Sequence, residues 1–188
     1  MQSPKSISTS TRTRDMILCG LFAALIAAGA FIRIPVPVVP FTLQFLFTCL
    51  AGSLLGSRRG TISVLVYLIL GLIGLPIFAE GGGIWYILKP TFGYLIGFAA
   101  GTFVTGRMIE RMNELTFGRL LTANFAGLGL VYLLGMIWCY IISNYVLGVA
   151  LGVWPLFLYC FILAVPGDIC LCVLAAILTK RLLPVLPI

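Results

Sequence analysis

"FTLQFLFTCLAGSLLGSRRGTISVLVYLILGLIGLPIFA", residues 41–79, carries charge at one place only, the adjacent Arg58 and Arg59. On each side of that pair the chain stays apolar for close to the ~20 residues that a bilayer core demands of a helix. Two membrane helices meeting in a short basic turn is the direct reading. The rest of the chain agrees with it. Of 188 residues, 61% are hydrophobic and 9% charged, against about 25% charged in soluble domains, and the mean hydropathy is +1.17. A soluble core of this size has no room for so much apolar side chain, and a membrane β-barrel alternates apolar and polar residues where this chain runs continuously apolar.

The expected fold is therefore an all-α integral membrane protein with six transmembrane helices, both termini cytoplasmic. Apolar runs between charges and turn residues place the spans near 16–34, 41–57, 61–79, 91–106, 120–147 and 154–179. Residues 1–14 read as a polar cytoplasmic tail with no cleavable signal, 15–182 as a six-helix substrate-binding domain, and 183–188 as a cytoplasmic C-terminal tail. No internal repeat of the inverted-topology kind is visible.

Orientation follows from the cations. Lys5, Arg12, Arg14, Arg58, Arg59, Arg107, Arg111, Arg119, Lys180 and Arg181 fall on one side of the expected membrane, and Arg33 and Lys89 on the other. Basic excess marks the cytoplasmic side. The net charge of +7 thus reads as a topology signal and not as a nucleic-acid signal. Histidine is absent and the six cysteines all lie in apolar runs without a CxxC pair. The expectation is no metal, no organic cofactor and no enzymatic centre.

The outward loops hold the irregular sequence: "RIPVPVVPF" at 33–41, "FAEGGGIWYILKPTFGYLIGF" at 78–98 and "LGVALGVWP" at 147–155. Gly81, Gly82 and Gly83 are suited to a lid loop over a small ligand. Trp85, Tyr86, Phe92 and Tyr94 offer flat apolar surface, or an interfacial aromatic belt. Lys89 suits an anionic group, or anchors the interface, and Glu80 pairs with it or accepts from a ligand. Within the spans, polar groups need an account, because a charge there costs roughly 2.5–3.5 kcal/mol on insertion scales. Asp168, in "VPGDIC", is the sharpest case. Asn144 and Gln44 lie about one turn in from the outer ends of their spans. Two amides and a carboxylate on three helices form a candidate binding set. On the first span, Ala24 and Ala28, and likewise Ala23 and Ala27, recur at the spacing that lets another helix approach closely.

"IPVPVVPFTLQ", "GSRRGTISVLVYLILGLIGLPIFAEGGG", "KPTFGYLIGF" and "VPGD", in that order from about Ala23 to Ala176, resemble the BioY family of biotin-specific substrate-binding (S) components of energy-coupling factor (ECF) transporters. The resemblance implies biotin as transported ligand and a partner complex of a transmembrane coupling protein with two cytoplasmic ATPases. It assigns binding to Gln44, Lys89, Thr91, Tyr94, Asn144 and Asp168, and partner docking to the alanines of the first helix. Family members often carry a lysine shortly after this aspartate, and "DICLC" has none. Biotin has a ureido ring with two N–H donors and one carbonyl, a thioether ring and a carboxylate tail. On that chemistry Asp168 and Asn144 are expected to meet at the ureido head. Lys89 and Gln44 would hold the carboxylate, and Trp85, Tyr86 and Phe92 would cover the rings. That pairing of Asp168 with Asn144 requires a late-starting or broken sixth helix, for which Pro166 provides the means. The rival expectation is a self-sufficient secondary carrier with Asp168 moving protons. No GxxxxGK[ST] is present to supply ATP hydrolysis in this chain itself.

Overall fold

The computed structural model describes residues 9–34 and 39–184. The start of the expected tail with Lys5, the middle of the proline-rich loop at 35–38, and residues 185–188 lie outside the described residues. Apart from one short ribbon, the described fold is helical. Helix α1 spans Thr9–Phe31, so it starts within the segment expected as a tail. The two-residue strands β1 (Arg33–Ile34) and β2 (Phe41–Thr42) pair antiparallel, Arg33 opposite Thr42. Then follow α2 (Gln44–Ile73), a 3₁₀ helix (Ile84–Leu88), α3 (Phe92–Glu110) and α4 (Phe117–Ile141), which runs on through a π-turn at Ile142–Val146. The chain ends in α5 (Val153–Phe157), a second π-turn (Leu158–Ile162) and α6 (Val165–Leu182). Five helical stretches among the described residues are long and apolar enough to cross a membrane.

The quoted stretch 41–79 does contain two helical arms, but no loop separates them. Both lie within α2, broken at Gly56 with φ 81° and ψ 177°, a conformation open essentially to glycine alone. The arms 44–55 and 57–73 fold back on each other there. A Cβ on Gly60 would lie 2.6 Å from the Ala51 carbonyl, whereas nine residues of straight helix would hold those positions about 13 Å apart. The second arm stops at Ile73, six residues before the expected end, because Gly74 takes a positive φ of 125° and Pro76 follows.

Helix α3 is wedged between α2 and α4 by small residues. A Cβ at Gly52 would sit 2.6 Å from the Thr102 carbonyl, and one at Gly101 would sit 2.8 Å from that of Gly127. Backbones this close make the dense contacts that hold helices together in lipid. Buried polar side chains add interhelical bonds. Thr102 Oγ1 donates to the Thr48 carbonyl at 3.2 Å, Thr105 Oγ1 to that of Ala123 at 3.1 Å, and Asn124 Nδ2 to that of Cys172 at 3.1 Å. At the basic end Arg59 pairs with Asp15 at 3.1 Å. There the Glu110 carboxylate accepts from Ser57 N (2.6 Å) and Oγ (2.9 Å), stapling α3 to the Gly56 reversal. The cysteines are unbridged among the described residues. The Cys139 and Cys160 sulfurs lie 3.9 Å apart.

Candidate ligand cavity

At the end opposite the basic turns, a narrow cavity of about 60 Å³ lies among the helices. Thr42 and Ala79 lie at its roof, Gln44 and Phe45 come from α2, Thr91, Tyr94 and Phe98 from α3 and its start, and Tyr132 from α4. Cys160, Ala164 and Asp168 close it from the α5–α6 side.

Asp168 reaches the cavity because the last helical stretch is broken. The second π-turn ends at Ile162, the chain turns at 163–164, and α6 restarts at Val165 with Pro166 in its first turn. Proline fits there since its missing N–H would have no helical partner anyway. Asp168 falls in that same first turn, its backbone N–H on the Ala164 carbonyl, so its charge meets the N-terminal end of the helix dipole. Its side chain accepts a hydrogen bond from the Tyr132 hydroxyl. Tyr132 is held edge-on by Tyr94 (centroids 6.1 Å, 88°) and Phe161 (5.1 Å, 73°), and the Tyr94 hydroxyl donates to the Cys160 carbonyl at 3.3 Å.

A second polar chain lines the upper wall. Thr42 Oγ1 donates to Gln44 Oε1 at 3.1 Å, Gln44 Nε2 to the Tyr67 hydroxyl at 2.5 Å, and Tyr67 onward to the Ile77 carbonyl at 3.2 Å. Thr91 Oγ1 and the Tyr86 hydroxyl are 3.3 Å apart. Above them the glycine-rich segment is pinned rather than loose. Phe78 and Gly81 exchange backbone hydrogen bonds of 2.9 and 3.2 Å, and Gly83 N–H reaches the Gly71 carbonyl at 2.7 Å. Gly81 and Gly83 both take positive φ, 110° and 101°. Lys89 forms an ion pair with Glu80 at 3.1 Å and sits 5.0 Å above the Tyr86 ring. Arg33 donates to the Ala79 carbonyl. Burial raises the Tyr86 phenol above its ordinary pKa, the Thr91 hydrogen bond opposing that shift.

Of the residues expected from sequence, Gln44, Tyr86, Thr91, Tyr94 and Asp168 come together at this cavity. Others do not line it. Asn144 does not meet Asp168. Its amide closes the turn after α4, donating to the Tyr140 and Leu151 carbonyls (3.0 and 3.1 Å) and accepting from Leu151 N–H (3.1 Å). Trp85 is 79% exposed. Phe92 is buried against Trp138 at 5.8 Å. Lys89 and Glu80 stay with each other on the roof, and Gly81, Gly82 and Gly83 lie above the cavity without lining it. Sequence reasoning missed Tyr132 and Thr42. For Tyr132 the signal was present: a phenol in the middle of an apolar span needs a partner for its hydroxyl.

A second surface is a groove of about 490 Å³ between α1 and the second arm of α2, lined by Gly20, Ala23, Ala24, Ala27, Ala28 and Tyr67 among others. Gly20, Ala24 and Ala28 are exposed, whereas Ala23 is buried.

A polytopic helical fold with a small cavity beneath one rim, mostly apolar with a few polar side chains on its wall, has the layout of a small-molecule binding or transport protein. The BioY family profile matches residues 2–188. A probable biotin transporter BioY of Lysinibacillus sphaericus is 46% identical over 170 residues, covering 90% of this chain and 87% of that protein. The biotin transporter BioY of Rhizobium etli is 36% identical over 184 residues, covering 93% and 97%. Among solved structures, the S-component for biotin from an ECF-type ABC transporter superposes with a TM-score of 0.79 and 29% identity, covering 94% of each chain. The chain belongs to the BioY family, a family of transport proteins and not of enzymes.

Proposed function

We propose that this chain is the biotin-binding S component of an ECF transporter in the cell membrane. It captures biotin from the extracytoplasmic side and hands it on through a transmembrane coupling protein served by two cytoplasmic ATPases. Asp168 at the cavity wall, oriented by Tyr132, is the observation that carries the reading. A carboxylate accepts the N–H donors of a ureido ring. It also repels the ligand's own carboxylate, so the tail points to the roof, where Arg33 and Lys89 supply positive charge. Thr91, Gln44 and Thr42 offer hydrogen bonds along the way, and Tyr86, Tyr94 and Phe98 provide apolar walls. Asn144 supports the site from outside by holding the connection at 147–152.

Six crossings with both termini cytoplasmic is the topology that goes with this function. The fold-back at Gly56 supports the sixth crossing, and the gathering of Arg58, Arg107, Arg119 and Lys180 supports the orientation. The exposed face of α1 at Gly20, Ala24 and Ala28 suits close docking of a coupling helix. The deciding experiment is calorimetric titration of the purified chain with biotin, followed by Asp168→Asn. A chain that binds no biotin, or a variant that binds it unchanged, removes the proposal. Uptake driven by a proton gradient without any ATPase would favour the self-sufficient carrier.

A further inference from the structure

We propose that the Asp168–Tyr132 pair makes this site a receptor for donor-only head groups, so that it takes a cyclic guanidinium in place of the cyclic urea. The inference rests on the biotin reading above and specifies the charge class that the same site accepts.

Among the described residues, Asp168 is the one formally charged side chain lining the cavity, and no lysine or arginine lines it. The two nearby cations are committed at the roof, Arg33 to the Ala79 carbonyl and Lys89 to Glu80. The residue following Asp168 is Ile169 and the next is Cys170, both exposed at the outer surface of α6. Within the cavity, then, the carboxylate has a hydroxyl partner and no counter-charge. One of its oxygens is taken by Tyr132. The other is left for the ligand.

A urea ring can turn one neutral N–H to that oxygen, its second N–H pointing away on the other side of the ring. A guanidinium ring of the same size can turn the same N–H to it and brings the missing positive charge. Charge-assisted hydrogen bonds are roughly twice as strong as neutral ones, and an ion pair gains further in a site shielded from water. The cost to consider is the position of the ureido carbonyl, where the guanidinium carries an NH2 that donates instead of accepting. The other polar groups on the cavity wall are hydroxyls of Thr42, Thr91, Tyr86 and Tyr94 and the amide of Gln44. Hydroxyls rotate to donate or to accept, so the wall adapts to either ring, and the fixed carboxylate decides between them.

The two residues divide the work. Asp168 sets the charge preference. Tyr132 is a positioning residue: Tyr94 and Phe161 lock its ring, so its hydroxyl fixes which carboxylate oxygen faces the ligand.

The test uses the full chain in detergent, with biotin and its guanidino analogue 2-iminobiotin as probes, titrated against the wild type, Asp168→Asn, Tyr132→Phe and the double variant. In the wild type the analogue displaces biotin with a Kd within about tenfold of biotin's own. Asp168→Asn weakens the analogue by about 100-fold or more and biotin by about tenfold, because only the analogue loses an ion pair. Tyr132→Phe weakens both ligands by a similar factor, leaving their ratio unchanged. In the Asp168→Asn background it has no further effect on biotin, a coupling that a purely structural tyrosine would not show. Failure of 2-iminobiotin to displace bound biotin, or equal losses of both ligands in Asp168→Asn, overturns the charge proposal while the biotin reading stands. Absence of biotin binding in the wild type overturns both. Where a variant does not fold, the wild-type competition alone decides.

Discussion

Gln44 and Tyr67 are joined side chain to side chain, Nε2 to hydroxyl at 2.5 Å, across 23 positions of sequence. The bond exists because the two arms of α2 reverse at Gly56, bringing residue 44 at the top of one arm level with residue 67 on the other. Tyr67 then passes the connection to Ile77 and Gln44 takes it from Thr42. The wall of the cavity is thus assembled from a reversal at the far end of the molecule.

Substituting Gly56 by alanine is expected to destabilise the protein by about 1–3 kcal/mol, the cost of holding a non-glycine residue in that conformation. The new Cβ would also meet the Glu110 carboxylate at 2.7 Å. The thermal midpoint of the detergent-solubilised chain measures this, and Gly118→Ala, with open space around its Cβ, serves as control. Equal midpoints for the two variants would contradict the reversal as drawn.

Trp85 and Tyr86 are neighbours with opposite fates, 79% and 3% exposed. Tyr86→Ala is expected to raise the Kd for biotin by about 10–100-fold, through loss of a packed aromatic wall. Trp85→Ala should move it less than about threefold, as is usual at an exposed position. Reversed magnitudes would mean that the segment 84–88 rearranges over the ligand.

Asn144→Ala removes three hydrogen bonds that close the turn after α4. The expected result is lowered stability by about 1–3 kcal/mol with biotin affinity nearly unchanged once the variant is folded. Loss of affinity with no loss of thermal midpoint would instead place the amide on the ligand.

Ala24 and Ala23 are adjacent on α1 but differ in direction, Ala24 exposed and Ala23 buried. Ala24→Trp is expected to leave biotin binding intact and abolish co-purification with the coupling protein. A variant that still co-purifies would move the docking surface elsewhere.

Hydropathy and charge made α3 and α4 legible within a few residues, because each is one apolar run bounded by charge or turn residues, whereas α1 starts at Thr9, seven residues before its expected span, since a helix can run on through polar residues outside the bilayer core. The break in the final stretch was foreshadowed by Pro166. The loop-free join at Gly56 was not, since nothing local distinguishes a glycine that reverses a chain from one that packs. At the cavity, residues with unusual polarity for their surroundings, Asp168 and Gln44, could be found from sequence. Tyr132 escaped because aromatic residues are common in spans and its hydroxyl partner lies 36 positions away. Asn144 shows a related limit: an amide near a helix end serves the backbone beside it as readily as a ligand, and sequence carries no direction for the side chain.

The reversal at Gly56 bears on how the protein enters the bilayer during synthesis. Residues 44–55 extend only about 18 Å as helix, well short of a ~30 Å hydrocarbon layer. On the six-crossing topology this arm is a poor candidate for partitioning into lipid by itself. Its insertion would await residues 57–73, the pair leaving the translocation channel together, so a nascent chain halted near Arg59 would still have its second segment unintegrated.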